Sequence, residues 1–526
     1  MKELIKKENA VDFLKKNGPF IIFCIILLYV SLLLVQVSDG YIMLERNNTK
    51  EVTMLKELFK GSFGTIAALI TIIPIVLYSI IFIIFNKKEI DISKVFLMIM
   101  IPIGIIYLII SPLGRVPDED THIRRIYEIS YGHFITKVNE EGDVGRELPA
   151  ELKLITPDNK TYEIFEENKE KEYSDESEFL TFNNTAVYTF ICYLPQVIGI
   201  WITRVFGANI LVQVYAARVV NFLSYVAIIY FAIKKIPFKK FAIFMITFLP
   251  ITVQQAASLS PDALTNALAI FFVAYIIHLM YSKEKMTKKD YIIVATTSVL
   301  VALVKIIYLP LCALIFLIPN DKFDSKKKKY IILIAIFMVS VILNLGWLKY
   351  ANSHYRQAYN NANPKEQIRF VLIDPYKYIT TCFRDVHLCL QSYIQGLIGN
   401  DLSYLDIDMS FIMQFPLLLL ILFSFICDEN NEIKPNWKEK LYSGLICLAV
   451  IALLFTSEYI SWNPVANFWV EGVQPRYYIP ILLIIAFICH MNSLKLEKKI
   501  NYRYIFMLTI GINLHAIISM MNIFMK

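Results

Sequence analysis

The strongest constraint in this sequence is a succession of apolar runs, each approaching the roughly 20 residues that a helix needs to cross a bilayer. They fall at about 19–38, 62–85, 94–112, 208–233, 241–258, 261–281, 290–304, 306–320, 330–348, 411–427, 441–457, 476–491 and 503–523. A soluble fold has no interior that could hide so many, so the sequence predicts an all-α polytopic membrane protein with about 13 transmembrane helices. Of 526 residues, 56% are apolar and only 18% charged, which excludes a soluble domain on a single anchor. The formal charge of +7 does not point to nucleic acid, because the charges are segregated by side rather than gathered on one surface.

Lysine clusters recur at every second junction: Lys87-Lys88, Lys234 to Lys240, Lys283 to Lys289, Lys326 to Lys329, Lys438 with Lys440, and Lys495 to Arg503. The positive-inside bias makes these cytoplasmic, which sets the N-terminus inside, the C-terminus outside, and the protein in a cell membrane. Met1 to Lys7, followed by an apolar stretch without a small-residue cleavage site, reads as the start of an uncleaved first span. The alternation works only if the run 186–206 lies along the membrane instead of crossing it. Pro195, Gln196, Thr203 and Arg204 interrupt that run, and Tyr188, Tyr193 and Trp201 suit the headgroup region.

The resulting layout has an N-terminal two-helix addition (1–93) and a transmembrane core (94–526). Three loops of the core face outward: 111–207, 349–410 and 458–475. Between Ser111 and Thr185 there are 18 acidic and 9 basic residues, a net −9 that cannot enter lipid and must form an external lobe. Its centre, Asn139 to Glu178, lacks helical periodicity and reads as short strands or a flap. Cys382 and Cys389 share one loop and are the one candidate disulfide; no cysteine or histidine spacing suggests a structural metal.

Directly after the third run comes Pro117-Asp118-Glu119-Asp120-Thr121-His122-Ile123-Arg124-Arg125. A helix beginning near Asp118 would set Glu119 and His122 three apart, Asp118 and His122 four apart, and His122 and Arg125 three apart. One face would then carry carboxylate, imidazole and guanidinium. A carboxylate here could take the proton of an acceptor hydroxyl while an arginine holds a phosphate leaving group. Acids in this position also favour a helix N-terminus through its dipole, and capping alone would account for them. Asp262, in Ser260-Pro261-Asp262, has the same two readings. Lys305, at the turn between two apolar runs, needs an anionic partner: a lipid phosphate, Asp262 or an acid of the first loop. Arg476, with Gln474 and Tyr477, suits bidentate phosphate recognition, and Trp462 and Trp469 could stack on sugars. Arg218 and Asn221, inside an apolar run, suggest an internal hydrogen bond to a carboxylate.

The stretch Pro117 to Gly132 resembles the signature of the bacterial membrane family catalogued as domain of unknown function 2142. So do Ala186 to Gln196, Gln255 to Leu264, Lys305 to Pro310 and Gly472 to Pro480, which run in the expected order. That family is similar in layout to the C-type glycosyltransferases, membrane enzymes that take a sugar from a polyprenyl-phosphate carrier. The resemblance implies such an enzyme, active on the external face, with a glycan or lipid-linked acceptor and membrane lipids as its partners. Asp118, Glu119 or Asp120 would be the base; Arg125, Lys305 and Arg476 would hold the phosphate; Asp262, His122, Gln474 and Tyr477 would orient the substrates. No cofactor is firmly implied, although some C-type enzymes hold a divalent ion at their acidic motif. The competing expectations are a flippase or exporter of lipid-linked saccharides, and a polysaccharide polymerase or ligase.

Overall fold

The structure, a computed structural model, describes residues 18, 91–158, 176–355, 361–428, 430, 432–494 and 502–524. The N-terminal runs 19–38 and 62–85 lie outside the described residues.

α1 (Ile92–Ile110) begins where Asp91 accepts a hydrogen bond from the Ser93 amide, 2.9 Å, satisfying a donor that the first turn cannot. It leads into α2 (Glu119–Ser130), then strands β1 (Lys137–Val138), β2 (Val144–Pro149) and β3 (Ser177–Thr181), and the single turn α3 (Asn183–Ala186). α4 (Leu194–Val205) follows, then α5 (Ile210–Lys235), α6 (Lys240–Thr247), α7 (Pro250–Ala256), α8 (Asp262–Tyr281) and α9 (Lys288–Val304). A 3-10 segment, Ile306–Leu317, precedes α10 (Lys326–His354), α11 (Pro364–Ile373), α12 (Pro375–Ile398), α13 (Phe411–Ile426) and α14 (Trp437–Ser461). A second 3-10 segment, Pro475–Ile481, runs into α15 (Leu482–Cys489), and α16 (Tyr502–Phe524) ends the described chain.

Six of these helices, α1, α5, α8, α10, α14 and α16, contain stretches long and apolar enough to cross a membrane. They correspond to six of the thirteen apolar runs. Five other runs fold as shorter segments, and proline is a reason in three. Pro250 starts a new helix within 241–258, Pro310 sits in the 3-10 segment of 306–320, and Pro480 lies where 476–491 changes from 3-10 to α-helix. The molecule is therefore a mostly helical membrane protein. Its centre is α8, whose apolar span is 89% buried and packs on α5 and α9; α10, at 17%, is peripheral. Gly104 lets α1 approach α5, since a Cβ there would lie 2.0 Å from the Phe222 ring.

The lobe between α2 and α4 departs from all-α. β1, β2 and β3 form an antiparallel sheet in that order, with Gly145 opposite Thr181 and Pro149 opposite Ser177. Of the two readings of Asn139 to Glu178, short strands are present at both ends of the segment, and residues 159–175 lie outside the described set. α4 continues the 3-10 turn Phe190–Tyr193, and Phe190–Val205 together form one of the shorter apolar helices. Val197 and Ile200 are buried while Trp201, Ile202, Val205 and Phe206 are exposed. Cys382 and Cys389 both lie on α12 as free thiols.

Candidate functional site

The site forms where the outgoing end of α1, the start of α2, the start of α8, the end of α9 and the 3-10 segment Pro475–Ile481 meet. Its organiser is Glu119, the first residue of α2 and fully buried. Arg218 of α5 donates to it twice, Nε to Oε1 at 2.9 Å and Nη2 to Oε2 at 2.5 Å. The Gly114 amide donates to Oε2 and the Leu259 amide to Oε1, both at 2.9 Å. Four donors use the acceptor capacity of one carboxylate. Arg218 also reaches the Ser111 and Pro112 carbonyls at 2.6 and 2.9 Å, so this pair fastens the loop after α1 to α5 and to the approach to α8. The expectation that Glu119 serves as base is corrected by this geometry: it has no lone pair left for a substrate.

Asp118 turns the other way. It occupies the N-cap position of α2 at φ 64°, and its side chain makes no capping hydrogen bond. Capping therefore does not account for it. Its Oδ1 accepts from Asn184 Nδ2 at 2.9 Å, and Oδ2 stands 3.6 Å from Arg476 Nη2 with 43% of the side chain exposed. Asp262, at the start of α8, is also not a cap: its carboxylate lies 3.2 Å from Arg476 Nε and 3.5 Å from Lys305 Nζ. The ring of Tyr477 underlies both cations, 4.0 Å from Lys305 Nζ and 5.3 Å from the Arg476 guanidinium carbon. Tyr477 is fixed in turn by Tyr308, whose hydroxyl donates to the Tyr477 carbonyl at 2.9 Å.

Arg476 is 6% exposed; its Nε has the ion pair with Asp262, whereas its Nη1 and the buried Gln474 Oε1 have no hydrogen-bond partner among the described residues. Unsatisfied buried polar groups are costly, which makes Nη1 a donor suited to a ligand. His122 joins the group from α2, its Nδ1 2.9 Å from the Tyr193 hydroxyl and its ring edge-on to Tyr188. Burial pushes its pKa down to about 4, against the pull of Asp118 and Asp262, so the ring is neutral near pH 7.

Two expected members stand apart. Asp120 is one residue further round the helix and faces Arg124 at 3.9 Å; burial raises its pKa and Arg124 opposes the rise. Arg125 does not reach Lys305 and Arg476, with which it was expected to act, and is corrected to a structural role. It is fully buried, paired with Glu128 and donating to Thr136 Oγ1 and the Phe134 carbonyl at 2.9 Å each. Arg146 of β2 holds the other oxygen of Glu128 at 2.7 Å, so Arg125, Glu128 and Arg146 bolt the sheet to α2. Arg125 and His122 are three residues and only about 60° apart on the helix, so it is the pairing with Glu128, Thr136 and the Phe134 carbonyl that draws the guanidinium toward the lobe.

Residues 101–485 match the family described as "Predicted membrane protein (DUF2142)". The chain belongs to this family. In this DUF2142 protein, the matched segment contains every residue of the site just described. No curated protein and no solved structure matches the chain.

The carboxylate that sequence reasoning missed in this family member is Glu458, in the last turn of α14. The charged side chains acting on it are Lys305, Arg476 and Asp118. Its signal was a single acid at the end of the apolar run 441–457, overlooked because the run was read for hydropathy alone. Asn184, on Asp118, was also missed. Among the described residues no group of three His, Cys, Asp or Glu side chains is disposed to hold a metal ion.

Proposed function

We propose that this protein is a membrane glycosyltransferase that moves a sugar from a polyprenyl-phosphate donor to a glycan or lipid-linked acceptor. The observation that carries the reading is the meeting of Asp118, Asp262, Lys305 and Arg476, drawn from as far apart as residues 118 and 476, with Nη1 of Arg476 left without a hydrogen-bond partner. Asp262 and Asp118 together balance the two positive charges. When Asp118 takes up a proton, one positive charge is left for the phosphate. Lipid on the flanks of the apolar helices suits a polyprenyl tail.

In the reaction, the acceptor hydroxyl oxygen attacks the anomeric carbon, and the bond between that carbon and the phosphate oxygen breaks with its electron pair leaving on the phosphate. Asp118 takes the hydroxyl proton. Lys305 and Nη1 of Arg476 stabilise the charge that grows on the departing polyprenyl phosphate. His122, neutral, hydrogen-bonds without competing for the phosphate. In this reading the site faces the external side, with the N-terminus cytoplasmic and the C-terminus external. In this reading the shorter apolar segments add crossings to the six long helices.

The test is transfer from radiolabelled sugar-loaded undecaprenyl phosphate by the full chain in nanodiscs. Label should pass to the acceptor, and Asp118→Asn should abolish transfer while leaving the protein folded. Full activity of Asp118→Asn would refute the assignment of the base. Cysteine accessibility separates the enzyme from an exporter: a flippase exposes Asp118 and Glu458 positions alternately to both sides, the enzyme to one.

A further inference from the structure

Resting on that reading, we infer that Glu458, with Trp462, forms the subsite that holds the sugar of the donor, and that it sets preference for a glycosylated over a bare lipid phosphate. Glu458 and Trp462 are four residues apart at the end of α14, so they share one helix face. No hydrogen bond to the Glu458 carboxylate forms among the described residues, although Lys305, Arg476 and Asp118 all act on it. It is thus an acceptor facing the phosphate-binding cations and the proposed base, with its lone pairs unused.

The backbone opposite is shaped to leave it there. Gly472 adopts φ 96°, and a Cβ on it would lie 2.8 Å from Glu458 Oε2 and 3.1 Å from Trp462 Cδ1. Only glycine combines that conformation with that clearance. The strand of chain carrying Gly472 leads directly into Gln474, whose buried Oε1 is likewise unpaired, and then to Arg476. A carboxylate beside an indole forms the chemistry that suits a pyranose or furanose. Oxygens accept from ring hydroxyls, and an aromatic face covers the apolar C–H side. A third carboxylate beside a phosphate site would only repel the ligand if it had no hydroxyl to bind.

The opposed effects make the test decisive. Equilibrium binding to the full chain in nanodiscs is measured for undecaprenyl phosphate and for undecaprenyl phosphate bearing glucose, mannose, galactose or arabinose. Wild type should favour at least one glycosylated lipid. Glu458→Gln should weaken that lipid about tenfold or more, the scale of one charge-assisted hydrogen bond, while binding bare undecaprenyl phosphate as well or better. Trp462→Ala should lower the same ratio, and Glu458→Asp should restore part of it. An unchanged ratio in Glu458→Gln, or equal loss for both lipids, overturns the sugar subsite while the phosphate site stands. Failure of wild type to bind any of these lipids overturns the lipid-phosphate reading and this inference with it.

Discussion

Asp118 and Glu119 are consecutive residues whose carboxylates face opposite ways. Glu119 is sealed under four donors, two of them from Arg218, and Asp118 stands part-open 3.6 Å from Arg476. The left-handed backbone of Asp118 produces the divergence, because it takes that residue off the path of α2 before the helix begins.

The two acids should therefore fail differently. Glu119→Gln leaves a buried arginine short of its counter-charge, a loss on the order of 3–5 kcal/mol, and should lower thermal stability and yield. Asp118→Asn keeps the Asn184 contact within reach and should shift stability by less than about 1 kcal/mol while abolishing transfer. Thermal unfolding in detergent, run beside the transfer assay, checks both.

Arg476→Lys should weaken binding of undecaprenyl phosphate by roughly tenfold or more with little change in stability. Lysine keeps the charge near Asp262 and loses the planar fork, whose Nη1 has no hydrogen-bond partner. Unchanged affinity in a lipid-binding titration would remove Arg476 from the phosphate site.

His122 should make the protein less stable as pH falls. Its folded pKa of about 4 lies below the ordinary 6.5, so the unfolded chain binds the proton first. Stability drains away between about pH 6.5 and 4, by on the order of 3 kcal/mol for this one buried group. His122→Gln should flatten that part of the pH profile of thermal unfolding, and an unaltered profile would count against burial as the cause.

Arg125→Met should destabilise the outer lobe by about 3–5 kcal/mol, because Glu128 loses one of its two buried partners. The affinity of the folded fraction for undecaprenyl phosphate should not change. A selective loss of lipid binding at unaltered stability would return Arg125 to the phosphate site.

Much of this architecture was legible in the chain. Apolar runs marked the six long helices, since transfer into lipid follows composition summed along a helix. The partner expected for Arg218 was a carboxylate, and Lys305 was expected to need an anion. Spacing along α2 could not say which acid Arg218 would take, nor that Arg125 would turn to the lobe, because helical periodicity fixes relative direction and not what stands opposite. The capping reading of Asp118 and Asp262 was equally open, since a cap and a site ligand look alike until the side chain is seen to bond elsewhere. Glu458 gave only the signal of an acid at a helix end, shared with many surface residues.

By itself, the sequence determined the environment of each segment, because transfer between water and lipid depends on composition summed over about 20 residues. It determined the family in the same way, through ordered local motifs. Only the tertiary structure decided which charges meet. Asp118, Asp262, Lys305, Glu458 and Arg476 come from five separate places in the chain, and their interaction falls off with distance in space, a quantity that helix packing sets and sequence separation does not.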